Sequence, residues 1–285
     1  MRFSPVARLA VRLSVCLALL GGSVVSASAE TVLSRDQFSD QMGDRQSSFL
    51  ARDLMTGTVC RLEGSDLETR HAPWSTFKIP NTLIALETGA AAGIDHWRDW
   101  DPAQRPALQY WPEAWRQGQT LKTAFQRSAV WYFQDIAFDI GSPSYRTALE
   151  DWRYGNAVVP DGSDAFWLGG PLKLSVDEQV GFLTRMVQGD LGVQSAHLAD
   201  LMNAAHAGPL GSATLYGKTG SGPVRSGQFS GKFEGWYVGW LTRGDDVFVV
   251  FAHHVTGPYF DAIRTYRRDF AETLLTACGL TGAQQ

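Results

Sequence analysis

The hydrophobic and polar positions of this chain divide it into strand-like ends and a helix-like middle. Runs rich in β-branched and aromatic residues, bounded by turn residues, predict five β-strands at 48–54, 57–62, 214–219, 234–243 and 246–254. The turn signals Thr56-Gly57 and Gly244-Asp245 join the first pair and the last pair into hairpins. Apolar residues recur at helical spacing around 120–140, 144–152, 175–189, 194–205 and 259–278.

This order of elements indicates a mixed α/β fold. Because the strands come from both ends of the chain, we expect one five-stranded antiparallel sheet, flanked by N- and C-terminal helices, with an inserted helical domain. The sheet domain is predicted at 30–85 and 210–285, and the helical domain at 86–209. A catalytic cleft is expected between the two domains.

The first 29 residues have the pattern of an export signal. Arg2, Arg8 and Arg12 precede an apolar stretch, and Ala27-Ser28-Ala29 has the form that signal peptidase cleaves. A membrane anchor is the alternative, but the uninterrupted apolar run is shorter than the roughly 20 residues of a membrane span. We expect cleavage near Ala29-Glu30 and a periplasmic or secreted protein without stable membrane association.

Composition narrows the functional classes. The chain has 285 residues, of which 44% are hydrophobic and 19% are charged, as is ordinary for a folded enzyme. The net charge of −4 is spread without basic runs, so no nucleic-acid partner is expected, and the oligomeric state stays open. The six histidines show no ligand spacing, and the adjacent His253 and His254 would point to opposite faces of a strand, so no metal is expected.

Two cysteines lie outside the predicted export signal, at Cys60 and Cys278. Export makes a disulfide between them chemically permissible. Their separation in the sequence does not establish one, and two buried free thiols are the alternative.

The most informative local pattern is Ser75-Thr76-Phe77-Lys78. Residues three apart share one face of a helix, so the lysine amine is expected beside the serine hydroxyl. Apolar residues at helical spacing follow as far as Gly89, which places Ser75 at a helix N-terminus, where free N–H groups favour negative charge. Pro80 is expected to distort the first turn. A serine hydroxyl needs a base before it becomes a nucleophile, and this pattern supplies a candidate.

Lysine is scarce in this chain, which gives Lys78 more weight. Only five of the 25 basic residues are lysine, and the others are arginine, which does not deprotonate in proteins. Apolar neighbours in the sequence are expected to bury Lys78 and lower its pKa. A second lysine, in Lys218-Thr219-Gly220, lies on a predicted strand, where the glycine allows close approach of a ligand backbone. Ser128-Ala129-Val130, within a helical stretch, adds a hydroxyl that could relay a proton.

In this order the patterns resemble those of the class D β-lactamases, the oxacillinase type. The matching segments are Ser75–Lys78, Ser128–Val130, Tyr154-Gly155-Asn156, Phe166-Trp167-Leu168, Lys218–Gly220 and Trp236–Trp240. The resemblance covers roughly residues 48–280 and implies the fold shared by serine β-lactamases and penicillin-binding proteins. It implies hydrolysis of small-molecule β-lactam antibiotics, penicillins among them, and resistance to those antibiotics.

The resemblance also implies a carbamate. In this family the motif lysine is carboxylated by CO₂, so Lys78 is expected as a carboxylated lysine that acts as general base, with CO₂ or bicarbonate needed and no other cofactor. Trp167 matches the tryptophan whose indole N–H holds that group. Val130 and Leu168 match apolar residues that shield it.

The roles of the remaining polar groups follow from the same resemblance. Ser75 is the expected nucleophile, and Ser128 passes a proton to the leaving ring nitrogen under the influence of Lys218. The backbone N–H groups of Ser75 and Ser221 are the expected oxyanion hole.

The substrate carboxylate of this family meets an arginine near the end of the chain. Arg267 matches best, while Arg264 and Arg268 are close enough to stay open. Thr219 and Gly220 are expected to line the same part of the substrate site.

Two features depart from the family pattern. Trp74 is bulkier than the small residue expected before the nucleophile, and the stretch 110–115 fits poorly. The loops around 110–116 and 221–235 therefore leave the substrate range open, including carbapenems and extended cephalosporins.

Two alternatives to a β-lactamase share its acylation chemistry. A D,D-peptidase of the penicillin-binding type deacylates β-lactams slowly, but the segments Ser75–Lys78 and Phe166-Trp167-Leu168 favour class D. A β-lactam sensor domain stays acylated and is tethered to a transmembrane signalling segment. The cleavable signal predicted here, and the short stretch after the last predicted helix, favour the enzyme.

Overall fold

The computed structural model describes Met1, residues 29–225 and residues 227–282 of the chain. Its strands are β1 (Glu30–Leu33), β2 (Gln46–Asp53), β3 (Val59–Leu62), β4 (Trp97–Arg98), β5 (Gln119–Thr120), β6 (His206–Leu210), β7 (Ala213–Pro223), β8 (Phe233–Arg243) and β9 (Asp246–Gly257). Its α-helices are α1 (Ser39–Met42), α2 (Lys78–Glu87), α3 (Leu121–Arg127), α4 (Val130–Ile140), α5 (Ser142–Asp151), α6 (Val176–Gln188), α7 (Ser195–Ala205), α8 (Phe260–Ile263) and α9 (Tyr266–Ala277). Short 3₁₀ turns lie at Arg35–Phe38, Trp74–Phe77 and Glu113–Trp115.

The predicted export signal lies, except for Met1 and Ala29, outside the described residues. Among the helices that are described, none is long and apolar enough to cross a membrane.

The main sheet confirms the predicted mixed α/β class but corrects the strand count. Within the described residues the main sheet has seven strands in the order β1-β3-β2-β9-β8-β7-β6, rather than five, and β4 and β5 form a separate pair. The two additional strands lie at the edges: β1 pairs in parallel with β3, and β6 pairs antiparallel with β7. Their patterns are weak because β1 has four residues and β6 contains Gly208 and Pro209, which a strand tolerates at an edge.

Two predicted helices are each divided in two. The stretch 120–140 breaks between α3 and α4 at Ser128, whose φ of +61° is left-handed and cannot continue a right-handed helix. The stretch 259–278 breaks between α8 and α9 at Arg264 and Thr265. Helical periodicity survives across both interruptions, so the apolar pattern did not reveal them.

Strand β8 lies inside the sheet and contributes to two hydrophobic cores. Alternate side chains such as Trp236 and Trp240 pack among the helices of the middle of the chain. The intervening Tyr237 and Leu241 pack on the opposite face with Phe270 of α9. The sheet is therefore covered on both faces, and the middle helices lie on the face that Trp236 shares.

A disulfide joins Cys60 of β3 to Cys278, directly after α9. The bond forms because α9 packs over the sheet face to which Cys60 belongs, within one shared core. The two cysteines are therefore paired rather than present as two free thiols.

The predicted domain boundaries remain predictions. Helix α2 continues to Glu87, past the boundary placed after residue 85, and β6 begins at His206, before the boundary placed at residue 210. Both predicted boundaries therefore fall within a continuous element, the first within α2 and the second within β6.

Candidate active site

The candidate nucleophile Ser75 lies in the 3₁₀ turn Trp74–Phe77, which leads directly into α2. The predicted position at a helix start is confirmed, with the first turn wound more tightly than an α-helix. Pro80 is the third residue of α2 and has no N–H to donate, which is consistent with the expected distortion. Lys78 begins α2, and its Nζ donates a hydrogen bond of 3.1 Å to Ser75 Oγ.

Lys78 is completely buried. Burial lowers the pKa of its amine from 10.5 to about 7, because the ammonium form loses its water. Its Nζ lies 5.1 Å from the centroid of the Phe133 ring. The amine beside Ser75 is thus held where its neutral form is well populated near neutral pH.

A second pair of polar groups lies across the site. Ser128 occupies the left-handed residue between α3 and α4, a conformation uncommon for residues other than glycine. Lys218 of β7 donates hydrogen bonds of 3.1 Å to Ser128 Oγ and 3.0 Å to the Thr219 carbonyl. Burial, followed by the charges of Lys78 and Arg267, lowers the pKa of Lys218 well below its usual value. Three basic side chains, those of Lys78, Lys218 and Arg267, therefore lie close enough to influence one another.

Strand β7 runs close against the nucleophile turn. A Cβ atom at Gly220 would lie 2.7 Å from the Pro73 carbonyl oxygen and 3.0 Å from the backbone nitrogens of Ser75 and Thr76. The glycine therefore allows the protein's own turn to approach, rather than the ligand backbone expected from the sequence. Its neighbours Thr219 and Ser221 remain partly exposed beside this turn.

The loop that carries Trp167 packs beneath the nucleophile turn. Trp167 is fully buried and stacks on Phe77, with ring centroids 5.1 Å apart. Its carbonyl oxygen accepts a hydrogen bond from the Trp74 N–H. The Trp167 indole N–H is buried and has no hydrogen-bond partner within the described part of the chain. Val130 and Leu168 are half-buried.

The Tyr154-Gly155-Asn156 motif is hydrogen-bonded to the residues that follow this loop. Asn156 donates through Nδ2 to the Pro171 carbonyl at 2.9 Å, and its Oδ1 accepts from the Lys173 N–H at 3.0 Å. Gly155 has a φ of +55°, and a Cβ there would lie 2.2 Å from the Lys173 carbonyl oxygen. The motif thus fixes the path of the segment that carries Trp167.

The three arginines left open by the sequence differ sharply in placement. Arg267 is largely buried, and its Nη1 donates 3.1 Å to the Gly220 carbonyl on β7. Burial lowers the pKa of Arg267 to about 10. Arg264 is exposed, and Arg268 forms an ion pair with Glu272. Only Arg267 of the three therefore reaches the strand that carries Lys218.

One cluster beside the nucleophile was not predicted. Glu234 of β8 is buried and accepts hydrogen bonds from the Trp74 indole N–H, at 2.7 Å, and from His71 Nδ1, at 3.1 Å. His254 Nε2 lies 3.6 Å from the same carboxylate. A carboxylate within the otherwise apolar strand segment 233–240 is the sequence signal that could have revealed it.

Among the described residues, this cluster brings three potential metal ligands together. Atoms of His71, Glu234 and His254 lie within 4.8 Å of one another. The two imidazole rings are stacked, however, with centroids 3.8 Å apart and planes inclined by 23°. Nitrogen lone pairs lie in the ring planes, so those of stacked rings run side by side and do not converge on one ion. We assign no metal to this cluster.

The two loops expected to shape the rim meet each other. Tyr110 stacks on Phe229 with ring centroids 5.5 Å apart, and both side chains are otherwise exposed. The contact joins the divergent stretch 110–115 to the loop between β7 and β8.

Comparisons with known proteins agree with this geometry. Residues 24–274 match the family described as the penicillin binding protein transpeptidase domain. The probable β-lactamase YbxI of Bacillus subtilis (strain 168) is 30% identical over 216 residues, covering 74% of this chain and 79% of that protein. A class D β-lactamase structure from Nostoc aligns with a TM-score of 0.75 and 28% identity, over 85% of this chain and 97% of that one. The chain belongs to the class D β-lactamases.

Class D β-lactamases are hydrolases, and this chain is therefore a hydrolase. The class D β-lactamase fold is also shared by a penicillin receptor, the C-terminal domain of Bacillus licheniformis BlaR. That structure aligns with a TM-score of 0.77 and 24% identity, over 89% of this chain and 98% of that one. The similarity to the penicillin receptor shows only that the two proteins share a fold.

Proposed function

We propose that this class D β-lactamase hydrolyses β-lactam antibiotics, penicillins among them, through a covalent acyl-enzyme on Ser75, and that it confers resistance to them. The observation that carries the proposal is the Ser75–Lys78 pair. A hydroxyl lies 3.1 Å from an amine whose pKa burial lowers to about 7, and this amine can accept a proton near neutral pH.

Acylation uses groups that already lie in reach of one another. Ser75 Oγ passes its proton to the base at Lys78 and attacks the lactam carbonyl carbon, while the backbone N–H groups of Ser75 and Ser221 stabilise the negative charge on the carbonyl oxygen. The ring C–N bond then breaks, and the nitrogen takes a proton from Ser128. Lys218, 3.1 Å from that hydroxyl, replaces the proton and stabilises the charge that develops there.

The residues around Lys78 fit a carboxylated lysine. Carboxylation needs a neutral amine, and the lowered pKa of Lys78 provides one. The buried Trp167 N–H, unpaired within the described residues, offers a donor to a carbamate, and the half-buried Val130 and Leu168 match the apolar residues that shield this group in the family. When formed, the carbamate would supply a carboxylate-type general base at the end of the Lys78 side chain, for acylation and for activation of the deacylating water.

Recognition of the substrate follows from charge. β-Lactam antibiotics carry a carboxylate, and Arg267 and Lys218 place two cations along β7. Thr219 and the Gly220 backbone lie between these cations on the same strand. An anion bound there meets a site whose potential is already positive.

One alternative shares the same acylation chemistry, a sensor that is acylated and stays acylated. The two functions share every step up to the acyl-enzyme and differ in deacylation. An enzyme releases hydrolysed product over many cycles, whereas a sensor forms one equivalent of stable adduct.

Steady-state assays on a penicillin and a chromogenic cephalosporin, with and without bicarbonate, separate these functions. We expect repeated turnover that falls in CO₂-depleted buffer and recovers when bicarbonate is added. The variant Ser75→Ala serves as the control and is expected to show no hydrolysis. Hydrolysis by Ser75→Ala would contradict the role of Ser75 as nucleophile. One stable adduct per chain with no turnover would identify a sensor.

We also propose export to the periplasm or outside the cell, after removal of the first 29 residues. Support comes from the arginine-rich start, the short apolar stretch and Ala27-Ser28-Ala29. N-terminal sequencing of the protein recovered from the producing cell tests this, with Glu30 expected as the first residue. An intact Met1 in the recovered protein contradicts it.

A further inference from the structure

The residue before the nucleophile has an unusual backbone. Trp74 has a φ of +51°, in the left-handed region that side chains with a Cβ rarely adopt. Such a conformation persists only when the surrounding contacts hold it. Because Trp74 and Ser75 share a peptide bond, these contacts also set the direction of the Ser75 N–H and of its hydroxyl.

The Trp74 side chain occupies a slot formed by two glycines. A Cβ at Gly222 on β7 would lie 2.3 Å from the indole ring, and a Cβ at Gly169, two residues after Trp167, would lie 2.7 Å from it. The indole therefore lies between the strand that carries Ser221 and the loop that carries Trp167. Glu234 faces Gly222 across the β7–β8 pair, and its Oε1 accepts the indole N–H at 2.7 Å.

Strand β8 also holds the residues immediately before Trp74. Glu234 accepts a hydrogen bond from His71, and the Trp236 indole N–H donates to the Ala72 carbonyl at 2.9 Å. The chain from His71 to Trp74 is thus fastened to β8 at three points before it enters the nucleophile turn.

Glu234 is suited to this task because it stays ionised while buried. Burial alone would raise its pKa, but the nearby His254 imidazole and the hydrogen bonds from His71 and Trp74 lower it to about 2. The charged groups around it are Asp66, which acts on His254, and Arg70 and Lys173, which line an adjoining cavity of about 210 Å³. None of these groups belongs to the acyl-transfer machinery proposed above.

We propose that Glu234 is a positioning residue for the nucleophile: by holding the Trp74 indole, it fixes the backbone of Ser75 so that its N–H and hydroxyl point into the cleft. This inference rests on the proposed role of Ser75. It assigns to Trp74 and Glu234 an effect on the rate of acylation rather than on the initial binding of substrate, because neither side chain lies among the groups proposed to bind it.

Three variants separate the indole hydrogen bond from the bulk of the side chains. Glu234→Leu removes the acceptor, Trp74→Phe removes the donor together with the outer part of the indole that reaches the two glycines, and Glu234→Gln keeps the size of the side chain and retains an oxygen acceptor. Glu178→Ala is the matched structural control, since it removes an ion pair with Arg70 and the Glu178 half of the capping box of α6 without touching Trp74.

Single-turnover acylation by a penicillin is measured for the whole enzyme and each variant, together with the melting temperature and the affinity for a boronic acid that forms a tetrahedral adduct. We expect Glu234→Leu and Trp74→Phe to slow acylation by about 10-fold to 100-fold, with initial binding changed by less than about threefold. Affinity for the boronic acid is expected to fall in parallel. Glu234→Gln should stay within about threefold of the parent enzyme.

Acylation of the parent enzyme at Ser75 is verified first, and its absence refutes the proposed function itself. If the parent is acylated, the positioning role is overturned when Glu234→Leu and Trp74→Phe react at the parent rate. It is also overturned when Glu234→Gln is as slow as Glu234→Leu, or when Glu178→Ala shows the same loss at a matched melting temperature. If Glu234→Leu fails to fold, Trp74→Phe decides the question alone.

Discussion

Lys218 Nζ lies 3.1 Å from Ser128 Oγ, although 90 residues separate the two along the chain. Lys218 comes from β7 of the sheet, and Ser128 comes from the junction between α3 and α4. The contact completes a site whose other half, Ser75 with Lys78, is local in sequence. Proton transfer to the leaving group therefore depends on how the helical part of the chain packs against the sheet.

Removal of the Ser128 hydroxyl is expected to impair opening of the lactam ring. In Ser128→Ala the ring nitrogen loses its proton donor, so we expect acylation to slow by about 10²-fold to 10⁴-fold. Rapid-quench kinetics with a penicillin measure this rate. Ser212→Ala, in the exposed turn between β6 and β7, is the matched control and should react at the parent rate. Equal rates for both variants would contradict the proton-donor role.

Activity should decline in acid because of Lys78. Its pKa is lowered to about 7, so the neutral amine predominates above pH 7 and decreases about tenfold for each pH unit below it. Since only the neutral amine takes up CO₂, the carbamate signal in ¹³C NMR with labelled bicarbonate should fall between pH 8 and pH 6. A signal that is constant across this range contradicts the lowered pKa.

The Trp167 indole N–H is expected to matter more for deacylation than for acylation. Trp167→Phe retains a ring against Phe77 but removes the buried donor, so the base at Lys78 is less well held. We expect deacylation to slow by about tenfold or more and the acyl-enzyme to accumulate in mass spectra. Trp152→Phe, which removes an indole hydrogen bond to the Leu191 carbonyl elsewhere, is the control and should deacylate normally.

Loss of the disulfide should weaken the fold. Replacing Cys60 and Cys278 by serine frees a closed loop of 218 residues in the unfolded chain, so the free energy of unfolding should fall by about 2–5 kcal/mol. Urea denaturation with and without a reducing agent measures the loss. Reductant should destabilise the parent enzyme and leave the double variant unchanged, and an equal response of the two proteins would argue against the bond.

Acid should also destabilise the folded enzyme through His253. Burial lowers its pKa from 6.5 to about 4, so it stays neutral in the fold while the unfolded chain takes up a proton as the pH falls from about 6.5 to 4. The expected loss of stability in this window is about 3 kcal/mol. His254, whose pKa burial also lowers, adds a loss of the same sign.

The variant His253→Asn isolates this effect. An asparagine amide can still donate to the Arg267 carbonyl that accepts from His253 Nδ1, but it does not titrate. Urea midpoints measured from pH 7 to pH 4 should therefore depend less on pH in His253→Asn than in the parent. Replacement of the exposed His206 by asparagine should leave the parent profile intact. Parallel profiles for all three proteins would contradict a buried neutral His253.

The local parts of the site could be predicted from the sequence. Ser75 and Lys78 meet because residues three apart share a helix face, and this holds even though the first turn is 3₁₀. The scarcity of lysine drew attention to Lys218 as well as to Lys78. The link between Lys218 and Ser128 was expected only from the family resemblance, because helical periodicity runs through Ser128 and conceals the break in the backbone there.

Contacts that depend on tertiary packing could not be predicted from the sequence. Arg264, Arg267 and Arg268 are within one helical turn of each other, and only the packing of α8 and α9 on the sheet shows which one reaches Gly220. The edge strand β6 and the Cys60–Cys278 bond depend in the same way on which surfaces meet. The bulky Trp74, a departure from the family pattern, makes sense only beside Gly222 and Glu234.

The proposed reaction passes through an acyl group on Ser75 that water then removes. Intact-protein and peptide mass spectrometry of the parent enzyme, quenched within milliseconds to minutes of mixing with a penicillin in bicarbonate buffer, tests it most directly. We expect a transient adduct with the mass of the penicillin, located on the peptide that contains Ser75, and its disappearance as hydrolysed product accumulates. Product formation with no adduct on that peptide, or an adduct that persists without product, would contradict it.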